Sequence, residues 1–325
     1  MKTSRTYCGI DVSAETLDCC FADSAGKFQQ FQVENTKKGY VFLLKKCAEN
    51  PHFVFEATGV YHLRLMFHLH QNERAYSVVN ALQIKRYIQM QLERNKSDKK
   101  DAKRICEYGM ERQPKVSEMP DNQYFECKSL NNAIETITKG ITAFTNQIHS
   151  LKKLPIGHKT VMKSYEKIIK SLQQELKDLE VALQTKLAEW QPELVELVSS
   201  VTSIGKRATS ELIVYTQGFK NMENYRQLIS YSGLSPKEFS SGSSIRGKSK
   251  ICKQGGKTIR HILYMCSMNA IKNNPPCKEL YERLVAKGKN KKVCLIAVCN
   301  KLLKQVFAVV SSKIPFDKNY NKIIA

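Results

Sequence analysis

Four acidic residues carry the most distinctive chemistry available to this sequence. Asp98 and Asp101 lie in "NKSDKKDAKRI", residues 95–105, the most basic stretch of a chain whose formal net charge is +22. Spaced three apart, they share one face if the stretch is helical. A D-x-x-D in a basic helix is ordinarily a solvated face laced with local ion pairs, so the pair gains meaning only if other acids join it. Two candidates exist: Asp11, at the end of the apolar run "YCGIDVS", and Glu56, at the end of "HFVFEATG". Four carboxylates brought together repel strongly, and divalent cations are the simplest remedy. An oxygen-only donor set selects Mg²⁺ or Mn²⁺. Two such ions about 4 Å apart can clamp an attacked phosphate and stabilise both its entering and its leaving oxygens.

The elements that must position these acids are legible as alternating strands and helices over residues 7 to 115. "YCGIDVS", "TLDCCFAD" and "FQQFQVEN" read as three strands with hairpin-like spacing, and Gly26 marks the second turn. "TKKGYVFLLKKCAEN" has helical periodicity, "HFVFEATG" is a strand ending at Glu56, and "VYHLRLMFHLHQN" is a helix leading to the strand "AYSVVN". Two helices, roughly 81–92 and 97–110, close the set. This order suits a mixed α/β sheet covered by helices. If its first and fourth strands are adjacent, Asp11 and Glu56 become neighbours, and a last helix crossing the sheet adds Asp98 and Asp101.

Two further segments follow, giving expected divisions at 1–125, 126–192 and 193–325. Leu130, Ile134, Ile137, Ile141, Phe144, Ile148 and Leu151 alternate spacings of four and three, an a/d seam. "LPIGH" breaks the helix at Pro155 and Gly157. A second seam runs through Tyr165, Ile168, Leu172, Leu176, Leu179, Leu183 and Leu187. The pair folds back as a helical hairpin or forms a coiled coil with another subunit. The last segment reads as mostly helical, with "ELVELVSSVTSIGKRATSELIVYT" as helix, glycine turn and helix, a form that often presents backbone amides to a phosphate. Within it, "KEFSSGSSIRGKSKICKQGGKTIR" is too polar for a core and too basic for a neutral linker. It reads as a polyphosphate contact loop through Arg246, Lys248, Lys250, Lys253, Lys257 and Arg260.

Composition narrows the partner. With 52 basic against 30 acidic residues, the surface field attracts polyanions, nucleic acid first and an anionic membrane surface second. Around the D-x-x-D, Lys96, Lys99, Lys100, Lys103 and Arg104 suit phosphate backbones. No run of about 18 apolar residues occurs, so a membrane-spanning helix is not expected, and the opening residues are too short in apolar length for a signal peptide. The eleven cysteines form no C-x-x-C pair and mostly sit in apolar periodic stretches, such as Cys8, Cys266 and Cys299. Reduced, buried thiols in a cytoplasmic protein are therefore expected. His62, His68 and His70 share a helix without cysteines at ligand spacing, which reads as packing rather than metal binding.

"GIDVS", "FEATGVY" and "KSDKKDAKRI" together resemble the signature blocks of the DEDD transposases of bacterial insertion sequences, relatives of the pilin-gene invertases. "YSGLSP" and "SSGSSIRGKSKICKQGGKTIRHIL" resemble their second conserved region, and the resemblance covers nearly the whole chain in the expected order. It implies a RuvC-like, RNase H-type fold in which Asp11, Glu56, Asp98 and Asp101 bind Mg²⁺, followed by a helical segment and a mostly helical transposase domain. It also implies that the serine preceding glycine in the second region, Ser241 before Gly242, is a nucleophile forming a phosphoserine link to DNA. Members excise and insert their element, and several use a structured bridge RNA to choose donor and target DNA. The two halves of the site would then be assembled by domain docking between subunits of a dimer or tetramer.

Two departures stand out. Thr202, Ser203, Ile204 and Gly205 occupy a place where the family often has Pro-Gly-Ile-Gly, and Gly255-Gly256 replaces a common glycine-asparagine pair. Read without the resemblance, Ser240, Ser241, Ser243 and Ser244 are four equivalent hydroxyls, and Ser240 stays the competitor even with it. Two other readings stay open: a metal-dependent nuclease or junction resolvase using water, and a non-enzymatic nucleic-acid scaffold built on the coiled coil.

Overall fold

A computed structural model of the chain describes residues 6–22, 27–47, 50–91, 98–237, 240–241, 245–246 and 250–317, without the side chains of 98, 99, 240, 241, 245 and 246. Gly26, Lys96, Gly242, Ser243, Ser244 and Lys248 lie outside the described residues. The chain divides into two compact units, Met1–Met119 and Pro120–Ala325.

The first unit runs β1 (Tyr7–Val12), β2 (Thr16–Ala22), β3 (Phe28–Glu34), α1 (Lys37–Lys46), β4 (His52–Glu56), α2 (Tyr61–Gln71), β5 (Tyr76–Val79), α3 (Ala81–Met90) and α4 (Asp98–Arg112). This is the element order expected from the sequence. The five strands form one sheet in the order β3-β2-β1-β4-β5. β1–β2 and β2–β3 are antiparallel, whereas β1–β4 and β4–β5 are parallel, so the sheet is mixed. The apolar runs of β1 and β4 put those strands at the centre, where both faces are covered. Polar β3 takes the edge, with Gln29, Gln30, Gln32 and Glu34 leaving little to bury.

The two faces separate cleanly by strand alternation. Tyr7 and Val54 join Cys20, Val79, Ile84 of α3 and Ala102, Ile105 and Cys106 of α4 in one cluster. On the other face, Phe55, the register partner of Ile10, meets the His62 ring of α2 at 6.3 Å. Thr36 caps α1 by accepting from the Gly39 amide, and Asn80 caps α3 by accepting from the Leu82 amide.

The second unit is helical apart from short hairpin pairs. It comprises α5 (Asn122–Leu151), α6 (Lys159–Trp190), α7 (Pro192–Ser200), α8 (Lys206–Tyr215), α9 (Tyr225–Tyr231), β6 (Pro236–Lys237), β7 (Ser240–Ser241), β8 (Ile245–Arg246), β9 (Lys250–Ile251), α10 (Lys257–Asn273), α11 (Pro275–Ala286) and α12 (Lys291–Ser312). α5 and α6 fold back on each other, with the Phe144 and Tyr165 rings 5.4 Å apart. The seam read from the sequence holds with one correction. Ile168 is 38% exposed, and its neighbour Ile169 takes the half-buried place. The base of this hairpin, including Ile134, Leu183, Leu187 and Trp190, belongs to the same core as Val198, Leu212, Leu263 and Leu302.

α12 is long and apolar enough, by length and composition, to cross a membrane. In this fold it is a core helix: Cys294, Val298, Cys299, Leu302, Leu303 and Val306 have no exposed surface. All eleven cysteines are free, and nine are buried, which fits the expected thiols.

Candidate active site

The register of the sheet brings two of the four expected acids side by side. β1 and β4 pair as Tyr7 with His52 through Ile10 with Phe55. The next step along each strand is Asp11 beside Glu56. Both sit half-buried at the carboxyl ends of adjacent parallel strands, where a ligand can reach a sheet otherwise covered by helices. The Thr58 hydroxyl donates to Glu56 Oε1 at 3.2 Å and steadies that carboxylate.

The row continues on the other side. Asp11 pairs across the antiparallel β1–β2 ladder with Asp18, and Asp18 pairs with Gln32 of β3. One transverse line therefore reads Gln32, Asp18, Asp11, Glu56. Asp18 is 6% exposed and accepts from Gln32 Nε2 through both oxygens, at 3.2 and 3.1 Å. Neighbouring strands lie about 4.8 Å apart. Carboxylates on neighbouring strands of one face offer an all-oxygen donor set to a hard divalent cation. The row is thus an acidic ledge at the carboxyl ends of β1 and β4.

α4 is fixed over this ledge by a glycine. A Cβ on Gly9 would stand 2.1 Å from the Cys106 nitrogen and 2.4 Å from the Ala102 oxygen, so only hydrogen allows the helix to lie this close. Further along, Gly109 sits against the Tyr7 side chain. The helix therefore runs antiparallel to β1, and the turn before Ala102 comes beside Asp11. That turn contains Asp98 and Asp101. Asp98 is four residues before Ala102, about one helical turn nearer the start of α4. Asp101 lies two turns before Tyr108, whose ring packs on Tyr87 of α3 at 5.3 Å. It is half-buried. Among the described residues no three His, Cys, Asp or Glu side chains form a ready metal-holding group; the carboxylate of Asp98 is outside them.

The rim is tied together by Asn35. Its amide donates to the Ser13 oxygen at 2.8 Å and the Tyr61 oxygen at 3.2 Å, and the Tyr40 hydroxyl donates to its side-chain oxygen. The β1–β2 turn and the start of α2 are thereby tied together. Beneath the acids, a hydrogen bond with Cys106 and burial push the Cys20 thiol far up, making it a neutral packing group. Asp18, Asn35 and Thr58 were all missed in the sequence. A tight turn at Ser13–Thr16 does carry the signal for Asp18, since it places residue 18 opposite residue 11.

The basic residues divide by partner. Lys103 bridges to Glu107 at 3.8 Å and stands 4.8 Å from the Phe28 ring centre, and Arg104 pairs with Glu107. Lys100 is exposed, and the side chain of Lys99 is outside the description. Lys103 and Arg104 thus also stabilise α4 itself.

In the second unit, the serine segment is a nested hairpin. Pro236 and Lys237 pair with Ile251 and Lys250, and Ser240 and Ser241 pair with Arg246 and Ile245. Ser241 therefore stands in the inner pair, close to the tip. The stem is pinned at its base: the Cys252 amide donates to the Ser235 oxygen at 2.9 Å, and Arg260 Nη1 donates to the Gly255 oxygen at 2.7 Å. A Cβ on Gly255 would meet the Tyr231 oxygen at 2.3 Å, which explains glycine there. Tyr215 completes the base, donating to the Tyr231 oxygen and accepting from the Gly256 amide, each at 2.8 Å. Lys250, Lys253 and Lys257 are exposed around this stem.

Known proteins match the chain in two stretches and over nearly its whole length. A family model described as "Transposase", the DEDD type of the IS110 group, matches residues 8–153. A second, described as "Transposase IS116/IS110/IS902 family", matches residues 195–282. The pilin gene-inverting protein of Moraxella lacunata is 28% identical over 336 residues, covering 98% of this chain and 100% of that protein. Its counterpart in Moraxella bovis matches equally, at 28% over the same shares. An uncharacterized 43.6 kDa protein of insertion element IS110 from Streptomyces coelicolor is 24% identical over 117 residues, 36% of this chain and 29% of that one.

Proposed function

The chain belongs to the transposase family of the IS110 and IS116 insertion elements, which are DNA recombinases, and from that premise we propose that it cuts and rejoins DNA with two cooperating sets of residues. Asp11, Glu56, Asp98 and Asp101 form a divalent-metal centre on a RuvC-like sheet, and Ser241 is the nucleophile. The observation that carries this reading is the transverse register of Asp11 and Glu56 beneath the first turns of α4. An all-oxygen, strongly anionic donor set on adjacent strands fits Mg²⁺, with Mn²⁺ as a substitute. When bound, such ions supply Lewis-acid polarisation of the phosphate.

The protein's own groups do the rest. The Ser241 oxygen attacks phosphorus and gives its proton to solvent, and the bond from phosphorus to the departing deoxyribose oxygen breaks as that oxygen takes a proton from solvent. The product is a phosphoserine ester and a free DNA hydroxyl. A serine hydroxyl is a weak nucleophile at neutral pH without such activation. The ester keeps the phosphodiester energy, so a second DNA hydroxyl can reverse the step and rejoin strands. Lys99, Lys100, Lys250, Lys253 and Lys257, with Arg246, serve the double-stranded DNA of element ends and target. A structured guide RNA and a dimer or tetramer, acting in the cytoplasm, complete the proposal. The helical hairpin of α5 and α6 then serves assembly.

A covalent trap tests this. The full chain is incubated with Mg²⁺, target DNA and RNA transcribed from the element end, then run on a denaturing gel. A protein–DNA adduct is expected, lost in Ser241→Ala, retained in Ser240→Ala, with all cleavage lost in Asp11→Ala. Cleavage that survives Ser241→Ala without any adduct would favour a hydrolytic nuclease and overturn the serine mechanism.

A further inference from the structure

We propose that Asp18 is a fifth acidic residue of this centre, a positioning residue that sets the charge and orientation of Asp11. The inference rests on the metal-centre reading above and extends it to a side chain outside the four-acid pattern. Three observations carry it. Asp18 is the direct cross-strand partner of Asp11, so its side chain leaves the sheet on the same face. That face is the one α4 covers, since Cys20, two residues on, packs with Ala102 and Cys106. Finally, Asp18 is 6% exposed, yet the hydrogen bonds that fix it come from a neutral amide, Gln32 Nε2, to both of its oxygens.

The third point decides the chemistry. A buried acid kept for structure alone is usually paired with a cation or replaced by an apolar residue. Gln32 is neither a cation nor an apolar group: it orients the carboxylate through both oxygens and brings no charge of its own. Like charges directly opposite across a ladder are unfavourable, and a divalent cation bound at this face meets both of them. Asp18 then increases the attraction for the ion at Asp11 and Glu56 and restrains the Asp11 carboxylate from turning away from it.

The sign of two effects separates this role from a structural one. The probe is Mn²⁺ alone, titrated into the full chain without nucleic acid and followed by the electron paramagnetic resonance signal of free Mn²⁺. Melting is followed with and without Mg²⁺. In Asp18→Asn, which keeps an oxygen for Gln32, Mn²⁺ affinity is expected to fall about 10-fold or more, the range for residues that support metal ligands. Its Mg²⁺-induced rise in melting temperature is expected to shrink. Unchanged Mn²⁺ affinity, or an equal drop in melting temperature with and without Mg²⁺, overturns the proposal. Should Asp18→Asn not fold, Gln32→Met removes the clamp and leaves the charge; a several-fold loss of Mn²⁺ affinity supports the role and no change overturns it. Asp11→Asn is run alongside. If it abolishes Mn²⁺ binding while Asp18→Asn does not weaken it, only this inference fails. If the wild-type chain binds no Mn²⁺, the metal-centre reading fails with it.

Discussion

Gly9 lies directly under the backbone of Cys106: a methyl group at Gly9 would come within 2.1 Å of the Cys106 nitrogen and 2.7 Å of its Cα. Backbone cannot yield as a flexible side chain can, so Gly9→Ala forces α4 away from the sheet. Overpacking of this kind typically costs about 1–3 kcal/mol, and the upper end is expected here. Because α4 carries Asp98 and Asp101, Mg²⁺-dependent cleavage should fall further than stability. Chemical unfolding and cleavage assays on Gly9→Ala check this. Normal activity with normal stability would mean that α4 does not lie as close to β1 as described.

Asp11→Asn and Glu56→Gln are nearly isosteric and remove one charge each from the anionic row. Each keeps the size of the side chain and an oxygen acceptor, so the melting temperature should stay close to that of the wild type. Each should also abolish cleavage and adduct formation. Loss of activity with lowered stability would instead point to collapse of the sheet.

The first unit was legible because its strands are short apolar runs between turn residues, and its helices show a clear 3.6 period. The sheet order was less so. That β1 lies between β2 and β4 had to be assumed in order to bring Asp11 to Glu56, since no local pattern encodes a crossover. Asp18 escaped notice because an acid within "TLDCCFA" looks like ordinary strand polarity until the ladder register is known. In the second unit, the serine segment was readable as a polar basic loop. Its nested hairpins were not, because pairs of two residues carry no periodicity. The helical seam was readable, but Asn131 was not: it is buried, donating to Glu211 at 3.0 Å and accepting from Arg207 at 2.6 Å, and only the packed helices bring those partners together.

Tyr215 holds the base of the serine hairpin through two hydrogen bonds, to the Tyr231 oxygen and from the Gly256 amide. Tyr215→Phe removes both hydrogen bonds, each worth about 0.5–1.5 kcal/mol. The substitution is distant in sequence from Ser241. Adduct formation should nevertheless slow several-fold if the stem positions the nucleophile. Timed adduct assays beside thermal melting separate the two effects, and an unchanged adduct rate in a destabilised variant would show that the stem has no positioning role.

Glu211 offers a pH test of the second unit. Burial raises its pKa, against the Asn131 hydrogen bond and the nearby Arg207, which lower it; Glu135 adds a smaller raising effect. A carboxyl whose folded pKa is raised favours the folded state while protonated. That contribution is complete below the unfolded value of about 4.3 and is lost as pH rises through the higher folded value. Glu211→Gln keeps an oxygen for Asn131 and cannot ionise. Its stability relative to the wild type should therefore improve from about pH 4 to about pH 8. Urea unfolding of both proteins at the two ends of that range measures the difference. A difference that shrinks with rising pH would mean that the Arg207 ion pair, 3.5 Å away, outweighs desolvation and that the carboxylate is the form the fold selects.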